Sequence, residues 1–147
     1  MRVLHVEDNA MDADLVRREL GRQAPDIELR QVATLAEART CLNHAPAWDA
    51  VLVDIKLPDG SGLELLAWIR EQGLSLAVVM LTGSGDHRAA VAALQAGADD
   101  YLSKGERTQG QLATILRDAV RRFEEGQVRR ARPLQVLYAE HSATDVD

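Results

Sequence analysis

Ala50-Val51-Leu52-Val53-Asp54-Ile55-Lys56-Leu57-Pro58-Asp59-Gly60-Ser61-Gly62 is an apolar run that ends on a carboxylate and then breaks into turn chemistry. Residues 50–53 are apolar without alternation, the pattern of a strand covered on both faces. Asp54 closes that strand. Pro58 fixes one φ while Gly60 and Gly62 permit positive φ, so the chain turns here. A helix then carries Leu63, Leu66 and Ile69 and stops at Gly73.

The same unit recurs on both sides. Residues 3–6 form a short apolar strand that runs into Glu7-Asp8-Asn9. A helix over 12–20 follows, with Leu15, Val16 and Leu20 on its apolar stripe and Asp12 and Asp14 near its positive end. Residues 27–32 read as a strand, and 35–42 as a helix begun by Thr34. Downstream, 76–81 is the most apolar segment and ends in Thr82-Gly83-Ser84-Gly85. Asp86 caps an alanine-rich helix to Gly97, and Tyr101-Leu102 makes a last short strand before Ser103-Lys104-Gly105. Leu112, Leu116, Ala119, Val120 and Phe123 then share one face of a long final helix. Strands alternating with helices in this way predict an α/β fold: a doubly wound five-stranded parallel sheet with helices on both faces. Its ligand site falls at the carboxyl ends of the strands, where strand order reverses.

Composition narrows the function classes. The chain has 147 residues, enough for one compact domain with a real core and little more. A net charge of -6 argues against a nucleic-acid surface, which needs clustered Lys and Arg. No stretch approaches the ~18 apolar residues of a membrane span, and the acidic start is unlike a signal peptide. Cys41 is the single cysteine and cannot form an internal disulfide. Its neighbours Leu35, Ala38 and Leu42 suggest core packing, and the chain suits a reducing cytoplasm.

Reading only the residues that close the predicted strands gives Glu7-Asp8, Asp54, Thr82 and Lys104. Three carboxylates drawn into one shallow cleft repel on the order of several kcal/mol unless a cation stands among them. Oxygen-only ligands favour Mg²⁺ over Zn²⁺. Thr82 offers a hydroxyl and Lys104 a point charge, both suited to the equatorial oxygens of a phosphoryl group. Asp54 is then the nucleophile that carries phosphorus as an acyl phosphate.

These segments, with Leu81-Thr82-Gly83 and Gly97-Ala98-Asp99-Asp100-Tyr101-Leu102-Ser103-Lys104, resemble the receiver domain of two-component response regulators. The resemblance covers residues 1 to about 125 and implies a flavodoxin-like sheet of strand order 2-1-3-4-5. It implies that Asp54 is the phosphoacceptor, served by a histidine kinase or phosphotransfer protein. It also implies that Asp8, Asp54 and the backbone carbonyl of Lys56 bind Mg²⁺ or Mn²⁺, with Glu7 helping through water. Thr82 and Tyr101 become the switch pair, remodelling the surface of helix four, strand five and helix five. Lys56 and Ser84 stand where the family tunes phosphate lifetime. His5, His44 and His87 are not spaced as a ligand set. One place departs from the family: Gly105 follows Lys104 where many members have a proline after a cis bond, so that device does not set the pose of Lys104.

Residues 126–133 are expected to be a basic linker or helix extension. Aligned with residues 2–14, residues 135–147 repeat Val3 as Val136, Leu4 as Leu137, Glu7 as Glu140, Ala10 as Ala143, Asp12 as Asp145 and Asp14 as Asp147. These are six identities in thirteen positions, against the roughly one expected by chance. Residues 134–147 are therefore expected to start a second, truncated receiver-like unit, with His141 at the Asp8 position. The expected activity is self-phosphorylation with slow autodephosphorylation rather than turnover enzymology, any output domain lying downstream. Two other classes compete. A Mg²⁺-dependent aspartyl phosphohydrolase would want a second Asp two residues after the nucleophile, where Lys56 stands. A receiver-like docking module would never be phosphorylated. Homodimerisation through helix four, strand five and helix five is an expectation too, although Ala89, Ala90 and Ala93 fit core packing equally.

Overall fold

A computed structural model of the chain describes residues 1–44, 47–83, 87–104 and 111–127. The elements are β1 (Arg2–Val6), α1 (Ala10–Gln23), β2 (Glu28–Val32), α2 (Leu35–Asn43), β3 (Ala50–Asp54), β4 (Lys56–Leu57), β5 (Gly60–Ser61), α3 (Gly62–Glu71), β6 (Ala77–Thr82), α4 (His87–Gln95) and β7 (Asp100–Ser103). A last helix, α5, covers 112–127. Five parallel strands form one sheet in the order β2-β1-β3-β6-β7. This is the expected order; the labels differ only because β4 and β5 pair as a small antiparallel ribbon inside the turn after Asp54.

The unbroken apolar runs are explained by two cores, one on each face. Ala50 and Leu52 of β3 join Val3, Val79 and Leu81 against Val16 and Leu20 of α1 and Leu112, Leu116 and Phe123 of α5. Val51 and Val53 join Leu4, Val78 and Met80 against Leu35, Leu65, Leu66 and Ile69 of α2 and α3. Alternate side chains of each strand thus go to opposite layers, and each fully buried Val or Leu contributes about 2 kcal/mol. Cys41 packs partly buried against the second core. Of the alanines in α4, Ala90 and Ala93 are buried and Ala89 half-buried, while Val91 and Leu94 are exposed.

Helix ends follow local chemistry. The Asn9 side chain accepts the Asp12 N–H at 3.0 Å, so α1 starts earlier than the periodicity predicts, at Ala10. Leu15 corrects a sequence expectation. It is 53% exposed, because Val16 and Leu20, four apart, face the sheet, whereas Leu15 lines up with exposed Met11 on a neighbouring stripe. Thr34 caps α2 as expected, accepting Glu37 N–H at 3.1 Å. Ser61 and Glu64 form a capping box at the start of α3. Gly73 and Gly97, both at positive φ, end α3 and α4 with the same return bond, Leu74 N–H to Ile69 O at 3.2 Å and Ala98 N–H to Ala93 O at 2.9 Å.

Arg70 of α3 ties the end of the sheet opposite Asp54. Its guanidinium donates to Leu76 O at 2.9 Å, to Gly97 O at 2.9 Å and to Asp99 at 2.9 Å, and it lies 5.2 Å from the Phe123 ring centroid. Arg70→Met keeps the stem and removes these bonds, leaving Asp99 without its cation. Urea denaturation is expected to show a loss of about 2 kcal/mol; an unchanged midpoint would contradict the role.

No helix among the described residues is long and apolar enough to cross a membrane. Asp86, Ser84, Gly105, the 128–133 part of the expected linker and the expected second unit at 134–147 lie outside the described residues.

Candidate functional site

Because every strand of the main sheet runs the same way, the carboxyl ends of β1, β3, β6 and β7 open on one side. Glu7 and Asp8 follow β1, Asp54 ends β3, Thr82 ends β6 and Lys104 follows β7. The carboxylate oxygens of Glu7, Asp8 and Asp54 lie within 4.8 Å of one another. Glu7 is fully buried and Asp54 nearly so, while Asp8 is exposed. Lys104 Nζ bridges the group, 2.6 Å from Glu7 Oε1 and 2.9 Å from Asp54 Oδ2.

The backbone holds each group in place. Glu7 N–H donates to Val32 O at 2.9 Å, and the Gln31 amide donates to Glu7 O at 2.6 Å, so the edge strand β2 clamps the chain at Glu7. Lys104 N–H donates to Thr82 O at 2.9 Å, which sets the lysine beside the end of β6. Past Asp54 the chain folds back, with Lys56 N–H 3.4 Å from Asp54 Oδ1 and Gly62 N–H donating to Ile55 O at 2.8 Å. A Cβ on Gly62 would stand 2.3 Å from Asp54 O. Only glycine lets the start of α3 approach this strand end so closely. Asp59 of the same turn accepts Leu35 N–H at 2.9 Å and Ala36 N–H at 3.1 Å. These bonds, that of Leu35 foremost, hold its carboxyl below the usual range and tie the turn to the start of α2.

The set predicted from sequence is therefore brought together in Glu7, Asp8, Asp54 and Lys104. Thr82 is buried at the same edge, but its hydroxyl donates to Leu102 O of β7 at 3.3 Å. Tyr101 sits apart on the surface, 38% exposed. Lys56 is exposed on the turn. His5 is buried in β1 and His44 and His87 are exposed, and among the described residues none of these three belongs to the convergent ligand group. Asp12 was not read from sequence as a site residue. Its carboxylate accepts from Lys104 Nζ at 2.9 Å. The available signal was its position one helical turn beyond Asp8, on the turn of α1 that overhangs the strand ends.

Charge is balanced unevenly across the site. Burial pushes the Glu7 carboxyl up to about 7; the hydrogen bond from Lys104 opposes that rise and the neighbouring Asp54 adds to it. Burial acts against the charge on Lys104, yet its bonds to Glu7, Asp54 and Asp12 hold the amine protonated, above the ordinary lysine range. A carboxyl raised from 4.5 to about 7 binds its proton more tightly folded than unfolded. Its contribution to stability is full below about pH 4.5 and is lost as pH rises through about 7. In EDTA, the urea midpoint is expected to fall between pH 5 and pH 8 more steeply for the unsubstituted chain than for Glu7→Gln. Parallel pH profiles would rule this out.

An all-oxygen group of this kind fits a hard divalent cation such as Mg²⁺ or Mn²⁺ and suits Zn²⁺ poorly. Chemically, the site offers a carboxylate nucleophile on a rigid strand, with an ammonium at hydrogen-bond distance.

Comparison with known proteins identifies the family and the fold. The family model described as "Response regulator receiver domain" matches residues 3–117. Response regulator protein PilR of Pseudomonas aeruginosa is 37% identical over 103 residues, which are 70% of this chain and 22% of PilR. Two-component response regulator PhoP of the same organism is 34% identical over 120 residues, 80% of this chain and 52% of PhoP. The chain thus spans from about a fifth to about half the length of these relatives. The crystal structure of a response regulator receiver domain protein from Clostridium thermocellum superposes with a TM-score of 0.73 at 26% identity, covering 84% of this chain and 96% of that one.

Proposed function

Because the chain belongs to the receiver-domain family of response regulators, we propose that it is a phosphoacceptor signalling domain in which Asp54 takes the phosphoryl group. The observation that carries this reading is the Asp54 carboxylate at the end of a central strand, 2.9 Å from Lys104 Nζ and grouped with Glu7 and Asp8. The donor is a phosphohistidine on a histidine kinase or phosphotransfer protein. An Asp54 oxygen attacks phosphorus while the P–N bond breaks, and that electron pair returns to the donor imidazole. Lys104 then meets an oxygen of the transferred group. Slow hydrolysis reverses the load: water attacks phosphorus and Asp54 leaves as a carboxylate.

Asp8 and Asp54 would hold Mg²⁺ or Mn²⁺ directly, with the Lys56 carbonyl, and Glu7 through water. When bound, the cation offsets the negative charge of the carboxylates and of the transferring group. Thr82 and Tyr101 are the switch pair, with the Thr82 hydroxyl bonded to Leu102 O and Tyr101 exposed. Turning Thr82 toward a phosphoryl oxygen releases Leu102 O and gives β7 a reason to move. Its surface with α4 and α5 is the one offered to a downstream output domain or to a second copy of the chain. We place the protein in the cytoplasm and read residues 134–147 as the start of a second receiver-like unit.

Incubation with acetyl phosphate and Mg²⁺ followed by intact-mass measurement tests the reading. A gain of one phosphoryl group, abolished by EDTA, is expected. Steady phosphate release without a mass gain would favour a hydrolase, and no change a docking module.

A further inference from the structure

Lys104 stands where its amine competes with any divalent cation for the same carboxylates. Its Nζ is 2.6 Å from Glu7 Oε1 and 2.9 Å from Asp54 Oδ2, and both residues belong to the convergent acidic group. Its third partner does not. Asp12 lies on the first turn of α1, outside that group, and meets the amine at 2.9 Å. On the α1 side of the lysine there is also space: a cavity of about 50 Å³ lined by Glu7, Asp12, Leu15, Val16, Leu81 and Lys104. A long flexible side chain with an anion and room on one side can shift toward that anion without leaving the cleft.

We infer that Asp12 is a positioning residue for Lys104, an anchorage to which the amine withdraws when a divalent cation takes Glu7, Asp8 and Asp54, and from which it returns to the transferred phosphoryl group. This rests on the cation site proposed above. Without Asp12 the ammonium has only Glu7 and Asp54 to pair with, so it opposes the cation more strongly.

Calorimetric titration of the chain with MgCl₂ tests the inference through a double-mutant cycle. Asp12→Asn is expected to weaken Mg²⁺ binding roughly three- to fivefold, the weight of one partly exposed ion pair. Asp12→Glu, which keeps a carboxylate on the same helical face, restores most of it. In a Lys104→Met background, Asp12→Asn should change the affinity by less than about twofold. An equal loss in both backgrounds would mean that Asp12 acts on the cation directly through its charge, and would overturn the inference while leaving the site reading intact. No effect of Asp12→Asn in the otherwise native chain would overturn it too. If the unsubstituted chain took up no Mg²⁺, the cation site itself would fail and this inference with it.

Discussion

Asp54→Asn is expected to take to background the gain of one phosphoryl group that is predicted for the unsubstituted chain in acetyl phosphate and Mg²⁺, read by intact mass. The amide has nearly the shape of the carboxylate, and Asp54 is only 8% exposed on a strand paired along both sides, so the fold survives the change. What disappears is the anionic oxygen able to attack phosphorus. Neither neighbour can substitute for it. The Glu7 side chain has no exposed surface, whereas that of Asp54 keeps 11%, so the Glu7 oxygens are not open to an incoming donor. Asp8 is exposed, but no bond from Lys104 holds it. Loss of one anion from a crowded group also relieves repulsion, and Asp54→Asn should unfold at the same or higher urea concentration than the unsubstituted chain. A residual mass gain carried by another residue would sink the assignment of Asp54.

Gly62→Ala should be among the most destabilising single changes, although it adds one methyl group. The added Cβ would lie 2.3 Å from Asp54 O, 3.0 Å from Asp54 C and 3.1 Å from Met80 Cε. The first two are backbone atoms of a central strand and cannot rotate aside. Nor can the turn retreat freely, since Gly62 N–H is bonded to Ile55 O at 2.8 Å and Ser61 is fixed by its capping box. Overpacking against backbone is expected to cost about 3 kcal/mol or more, read by urea denaturation. The crowded carbonyl belongs to Asp54, the proposed acceptor, so phosphorylation by acetyl phosphate should slow in whatever fraction remains folded. A loss under about 1 kcal/mol would show that the turn relaxes after all.

The strand segments were legible because burial on both faces leaves an apolar run with no alternation, as in Val51, Leu52 and Val53. The grouping of the candidate residues was legible because a parallel sheet gathers all its strand ends on one side, which makes Glu7, Asp8, Asp54 and Lys104 neighbours despite their separation in sequence. What escaped depends on rotation and on loop path. Leu15 and Val16 are adjacent and equally apolar, and only the angle at which α1 sits decides which one meets the sheet. Asp59 looked like turn chemistry alone, yet it caps α2, a contact set by where the turn after β3 passes. Asp12 looked like a charge suited to a helix start, and its bond to Lys104 requires the overhang of α1 above β7's end. Thr82 was placed correctly at the strand end, but a sequence has no means of saying that its hydroxyl faces Leu102.

The order β2-β1-β3-β6-β7 also settles where the molecule can give way. β3 has a ladder on each side, so its amides, up to Asp54 at its end, should be among the last to exchange with deuterium. The rim is built differently: among the described residues β7 pairs with one strand and α4 buries Ala90 and Ala93, so the amides of these two elements are expected to exchange sooner.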